Sequence, residues 1–194
     1  MTFDILSVFE RHQTVCAGYS KAFQYLCNQI NIPCTFINGV ANNSIATDGH
    51  AWNLVKVNGE WYFVDVTWGD ASFMTTNGLD ISSDFTNYAY LCTTTEDICK
   101  THKIEMPYDI ENCTSMKENY YVRNGLYFME LNEEQLQRAF SSNTNGILVL
   151  KCNSLDLCQQ LKSYLIDEQH IYNYNKQSKG YVVQEDQNAI MIIL

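Results

Sequence analysis

Between residues 15 and 30 apolar side chains recur at intervals of three and four, at Tyr19, Ala22, Phe23, Leu26 and Ile30. That period predicts an amphipathic helix from about Val15 to Gln29, with Thr14 as its N-cap. The pattern then changes. From Gly49 to Trp68 two β-rich runs flank Asn58-Gly59, a dipeptide that favours a two-residue hairpin turn. Pairing Val57 with Glu60 keeps the sum of paired positions at 117, so Trp52 faces Asp65 and His50 faces Thr67. His50 and Asp65 are therefore diagonal neighbours on one face of the hairpin, roughly 7–8 Å apart at the backbone. A slip of one residue would separate them onto opposite faces.

Further along, the stretch from Cys92 to Asn119 is polar, lacks sustained periodicity and contains Pro107, and reads as a connection between a first unit, 1–107, and a second, 108–194. In the second unit Tyr120 to Glu130 surrounds Asn124-Gly125 and predicts another hairpin. Asn132, with Gln135 three residues on, predicts a capped helix carrying Leu136, Ala139 and Phe140. Gly146 to Cys152 reads as a buried strand, and Ser154 caps a second helix through Leu157, Leu161, Tyr164 and Leu165. His170 to Tyr174, Tyr181 to Gln184 and Ala189 to Leu194 read as further strands. This unit offers no evident catalytic set, and His170 reads as structural or surface.

Composition narrows the function classes. The 194 residues carry 22 Asp and Glu against 12 Lys and Arg, a formal charge of -10. Such a surface repels phosphate backbones, so neither nucleic acid nor anionic membrane is expected as a partner. The longest apolar run, Ala189 to Leu194, is far too short to span a bilayer. Met1-Thr2-Phe3-Asp4 shows no secretory leader. Eight cysteines then favour a reducing, cytoplasmic setting, although a secreted chain already stripped of a leader would read the same way. No Cys-x-x-Cys pair occurs, and the nearest approach to a zinc set, Cys92, Cys99, His102 and Cys113, opens with too wide a gap. No metal or organic cofactor is expected.

One cysteine stands apart. Cys16 falls in the first turn of the predicted helix, where unpaired N–H groups and the helix dipole favour the thiolate. A helix-start cysteine, with a histidine held by an aspartate, is the minimum apparatus for thiol acyl transfer. The histidine takes the thiol proton and later protonates the leaving amine, while the aspartate sets its tautomer. Trp52 is a candidate shield for this set or a packed core aromatic, and Trp68 a candidate wall of an acyl cleft or plain packing. The Cys16 backbone N–H and the Gln13 side chain are candidate oxyanion donors. Cys27 and Cys34 read as structural.

The motifs Cys-x-Gly-Tyr at Cys16, Gly-His-Ala-Trp-Asn at Gly49 and Trp-Tyr-x-Val-Asp-x-Thr-Trp at Trp61 resemble, in order, the transglutaminase-like branch of the papain-fold thiol enzymes, of the bacterial transglutaminase-core type. The resemblance covers about residues 10–70. It implies that Cys16, His50 and Asp65 are nucleophile, base and orienting acid. Fifteen residues precede Cys16, fewer than such domains usually carry, which predicts an open, wet cleft. The expected fold is α+β: a papain-like catalytic half, its cysteine helix packed on an antiparallel sheet, joined to a smaller C-terminal α/β unit. The expected function is acyl transfer on amide bonds of a protein or peptide substrate through a thioester, with hydrolysis favoured over transamidation. The alternative is a catalytically silent interaction module on the same fold.

Overall fold

A computed structural model describes residues 5–11, 14–42, 47–70, 85–144 and 146–194. Its described residues divide after Tyr120 into two compact units.

The first unit is an α+β fold. Helices α1 (Leu6–Arg11) and α2 (Cys16–Gln29) precede strands β1 (Cys34–Asn42), β2 (Thr47–Val57) and β3 (Glu60–Val64). A short helix, α3 (Thr95–Ile98), then leads to β4 (His102–Ile104). The antiparallel sheet has the order β3-β2-β1-β4. Asn58 and Gly59 both adopt positive φ, 50° and 89°, the geometry of a hairpin turn matched to strand twist. Val57 pairs with Glu60 and Asn53 with Val64, the register that the turn predicted. Cys27, Cys34, Val55, Tyr62, Val64 and Cys92 make an apolar cluster between helix and sheet, which places Cys27 and Cys34 in the core.

Two glycines permit close approaches that position the site. A Cβ on Gly18 would collide with the Thr14 side chain, and one on Gly39 would strike the Lys103 carbonyl and the Trp52 ring. Glycine is thus what lets β4 and Trp52 close onto β1. Thr14 is not the N-cap. Val15 occupies that position and makes no side-chain capping bond, so α2 starts one residue later than a Thr14 cap requires.

The second unit contains α4 (Tyr120–Arg123), which begins at the division, then β5 (Tyr127–Phe128), α5 (Glu133–Ser142), β6 (Ile147–Cys152), α6 (Leu155–Lys162), α7 (Ile171–Tyr174), β7 (Gly180–Gln184) and β8 (Ala189–Ile193). Its sheet runs β5-β6-β8-β7, with β5 parallel to β6 and the other pairs antiparallel. The expected caps are present: Asn132 accepts from the Gln135 amide and Ser154 from that of Leu157. Two expectations fail here. Asn124-Gly125 makes no hairpin, because Gly125 at φ 69° ends α4: its N–H bonds Val122 O, and Leu126 N–H reaches back to Tyr121 O. That is the six-to-one, five-to-two closure of a helix C-terminus, which uses the same left-handed glycine as a hairpin turn. The segment expected as a strand from His170 to Tyr174 is instead the helix Ile171–Tyr174 with His170 at its N-cap position, and Ile171 and Tyr174, three apart, both pack on the second unit's core. Among the described residues no helix is long and apolar enough to cross a membrane.

Candidate active site

The Cys16 sulfur owes its surroundings to two side-chain bonds between α2 and β2. Ser20, one turn beyond Cys16, donates its hydroxyl to the Ala51 carbonyl at 2.8 Å, and Asn53 returns Nδ2–H to the Ser20 carbonyl at 3.1 Å. Both groups are buried, where an unmade hydrogen bond is costly, so the helix start is tied to the strand that carries His50. Asn53 of the Gly-His-Ala-Trp-Asn motif therefore has a structural task.

At the end of β3 the chain turns sharply. Asp65 is 1% exposed, and its Oδ1 accepts from the Thr67 and Trp68 amides at 2.9 and 3.2 Å. Oδ2 accepts from His50 Nε2 at 2.7 Å and from His102 Nε2 at 3.0 Å. An ionised carboxylate only accepts, so both Nε2 atoms carry protons. His50 Nδ1 is then left as the acceptor of the ring, and Cys16 is the other side chain that raises the proton affinity of His50.

The electrostatics follow. The bond to His50 holds the Cys16 thiol below its ordinary 9.0 against the opposing effect of burial, helped by the His50 charge and by backbone groups of Ala51 and Ala17. Burial disfavours the charged form of His50, but hydrogen bonds to Asp65 and Cys16 and their charges outweigh it, raising its pKa from 6.5 to about 9. Burial would also raise Asp65; the bonds from His102 and His50 prevail and keep it below 3.8. For His102 burial dominates and lowers its pKa, against Asp65 and the Ile98 carbonyl. Elsewhere burial raises the thiols: Cys34 to about 12 and Cys113 to about 11. Cys158 is held low by its bond from Cys152, yet it is fully buried. Cys16 is half-buried.

Aromatic rings enclose the histidines. Trp52, 0% exposed, stacks on His50 at 5.9 Å between centroids, and Trp68 lies 5.6 Å from His50. Both also meet His102, at 4.9 and 4.7 Å. The two tryptophan rings thus pack against both imidazoles that bond Asp65. Gln13 lies outside the described residues. A cavity of about 360 Å³ is lined by Asp65, Phe23, Val64 and Tyr90 among others, but by neither Cys16 nor His50.

His50, Asp65 and His102 bring three donor atoms within 4.8 Å of one another, a cluster of metal-ligand types. In this structure both Nε2 atoms lie at hydrogen-bond length from the one Oδ2 oxygen of Asp65. His102 does not assemble with Cys92, Cys99 or Cys113. Its place beside Asp65 had no local signal: β4 is three residues long, and its pairing of His102 with Ala41 is set by strand topology.

Residues 3–66 match the family model described as the Transglutaminase-like superfamily, a segment that holds Cys16, His50 and Asp65. The superfamily includes cysteine enzymes. Curated relatives are the kyphoscoliosis peptidases of Mus musculus, 29% identical over 82 residues, and of Homo sapiens, 29% identical over 75. These alignments cover 38% and 34% of this chain but only 12% and 11% of the relatives. The chain thus spans about an eighth of their length.

Proposed function

We propose that the first unit is a thiol-dependent acyl-transfer enzyme acting on amide bonds, with Cys16 as nucleophile, His50 as acid and base, and Asp65 as the group that orients His50. The observation that carries this reading is the His50 Nε2 bond to Asp65 Oδ2 at 2.7 Å, which leaves Nδ1 as the ring's acceptor for the Cys16 proton. In the first half-reaction the Cys16 sulfur bonds to the substrate carbonyl carbon, and the resulting oxyanion is received by the Cys16 N–H. The C–N bond then breaks as His50 gives its proton to the nitrogen. In the second half-reaction His50 takes a proton from water, the oxygen attacks the thioester, and the C–S bond breaks to restore the thiol.

We favour water over an amine as acceptor. The name peptidase borne by the mouse and human relatives supports this choice. Trp52 and Trp68 serve as walls around the histidine, and the substrate is a protein or peptide. Incubating the chain with glutamine-containing peptides at neutral pH should release ammonia or cleaved peptide without incorporating added primary amine, and all release should vanish in Cys16→Ala. Efficient incorporation at millimolar amine would replace hydrolysis by transamidation and leave the triad standing. No turnover of either kind, with Cys16 unreactive toward iodoacetamide, would favour a silent interaction module.

A further inference from the structure

Asp65 supports two imidazoles, and the proposed reaction uses only one. His102 is 3% exposed, and its ring is walled by Trp52 at 4.9 Å, Trp68 at 4.7 Å, His50 at 5.3 Å and Tyr90 at 5.8 Å between centroids. Its Nε2 lies 3.0 Å from Asp65 Oδ2 and its Nδ1 2.8 Å from Thr101 Oγ1. We propose that His102 is a positioning residue: by donating to the oxygen that also accepts from His50, it divides the Asp65 carboxylate between two rings and keeps the His50 imidazolium able to release its proton. This inference rests on the acyl-transfer reading of His50.

A neutral imidazole carries one proton, and here it must sit on Nε2 because its partner is a carboxylate. Nδ1 is then an acceptor and takes the Thr101 hydroxyl proton, in preference to the longer alternative from that hydroxyl to Ile98 O at 3.5 Å. With two amides on Oδ1 and two imidazoles on Oδ2, every acceptor position of Asp65 is engaged. A second donor withdraws negative charge from the oxygen that stabilises protonated His50, and the positive end of the His102 N–H dipole opposes that charge directly. Both effects hold down the basicity of His50. The titratable groups around His50 are Cys16 from α2, Asp65 after β3 and His102 from β4, and Tyr90 is the further titratable group against His102. Asp65 and Cys16 both raise the His50 pKa and burial lowers it, so the proposed sharing by His102 acts in the same direction as burial.

The sign of the effect separates this role from packing. If His102 merely filled space, its removal would loosen Asp65 and leave the His50 pKa unchanged or lower. If it shares the carboxylate, removal raises it. The test is an NMR titration of the His50 ring in the full chain carrying labelled histidine. In His102→Leu the midpoint should rise by about one unit, roughly a tenfold gain in proton affinity. His102→Gln, which keeps a donor near the Nε2 position, should return it to within a few tenths of a unit. Asp65→Asn is the control: it should lower the midpoint, and its failure to do so would overturn the His50–Asp65 reading itself. A lowered midpoint in Asp65→Asn with no rise in His102→Leu would overturn the sharing role alone. Should His102→Leu not fold, long-range nitrogen correlations in the native chain decide. They should show His102 protonated at Nε2 and bare at Nδ1, and the opposite tautomer would overturn the proposal.

Discussion

Replacing Asp65 with Asn removes one charge and almost no volume. The amide oxygen can keep the Thr67 and Trp68 N–H groups, at 2.9 and 3.2 Å, only by turning its NH₂ toward His50 and His102. Both Nε2 atoms must then become acceptors. His50 moves its proton to Nδ1, the nitrogen on the Cys16 side, where it can no longer take the thiol proton. The charge counts as well. The rise of His50 from 6.5 to about 9 corresponds to roughly 3 kcal/mol of stabilisation of the imidazolium at about 1.4 kcal/mol per unit. Most of it comes from the Asp65 side of a ring whose side chain is only 7% exposed, so solvent screens little of it. Asp65→Asn should therefore slow Cys16 alkylation at pH 6.5 by about a hundredfold, and turnover by more, because the tautomer is also wrong. The assay is the rate of carboxamidomethylation at Cys16, followed by peptide mass spectrometry, with far-ultraviolet circular dichroism confirming the fold. An Asp65→Asn chain that is folded and alkylates Cys16 at the native rate would refute the argument.

Other consequences follow from the same contacts. In a Cys16→Ser background, where the Asp65 contact still raises the His50 pKa but the Cys16 contribution to the native value of about 9 is gone, the contribution of His50 to folding stability is complete below pH 6.5 and lost as pH climbs through its raised folded value, so urea unfolding should weaken across that window. The weakening should be absent when His50→Gln is added. Asp65, held below 3.8, contributes above that value and loses its contribution as pH falls through its lower folded value, so acid should destabilise the native chain more steeply than Asp65→Asn. Gly18→Ala should cost about 1–3 kcal/mol in chemical denaturation, since its methyl group meets Thr14. Asn53→Ala should cost a similar amount by freeing the buried Ser20 carbonyl, and should slow Cys16 alkylation by loosening the helix start from β2.

What the sequence revealed and what it concealed divide along the range of the contacts. The register from Val57–Glu60 to Asn53–Val64 was countable because Asn58-Gly59 is a local signal and pairing across a hairpin propagates by arithmetic, and His50 and Asp65 lie just beyond the last of those pairs. The same dipeptide type at Asn124-Gly125 misled, since a left-handed glycine closes helices as readily as hairpins. His170 to Tyr174 looked like a strand because its aromatic and β-branched residues favour one, yet the spacing of Ile171 and Tyr174 on the core decided otherwise. The approach of Cys16 to His50 was out of reach of any local pattern. It depends on Ser20 and Asn53, 33 positions apart, meeting across two elements. His102 was the least visible of all, because a lone histidine in a three-residue strand gains its meaning only from the fourth strand's place in the sheet.

The central claim is that Cys16 forms a thioester under the control of His50. An activated acyl donor, p-nitrophenyl acetate, tests it without knowledge of the natural substrate: mix it with the chain near pH 7, follow the release of nitrophenolate, and locate the acetyl group by mass spectrometry after rapid acid quenching. Expected are a burst equal to the enzyme concentration, the acetyl group on Cys16, a burst slowed by orders of magnitude in His50→Gln and none in Cys16→Ala. Acetylation spread over other residues while Cys16 stays unmodified, in a chain whose fold is intact, would contradict it.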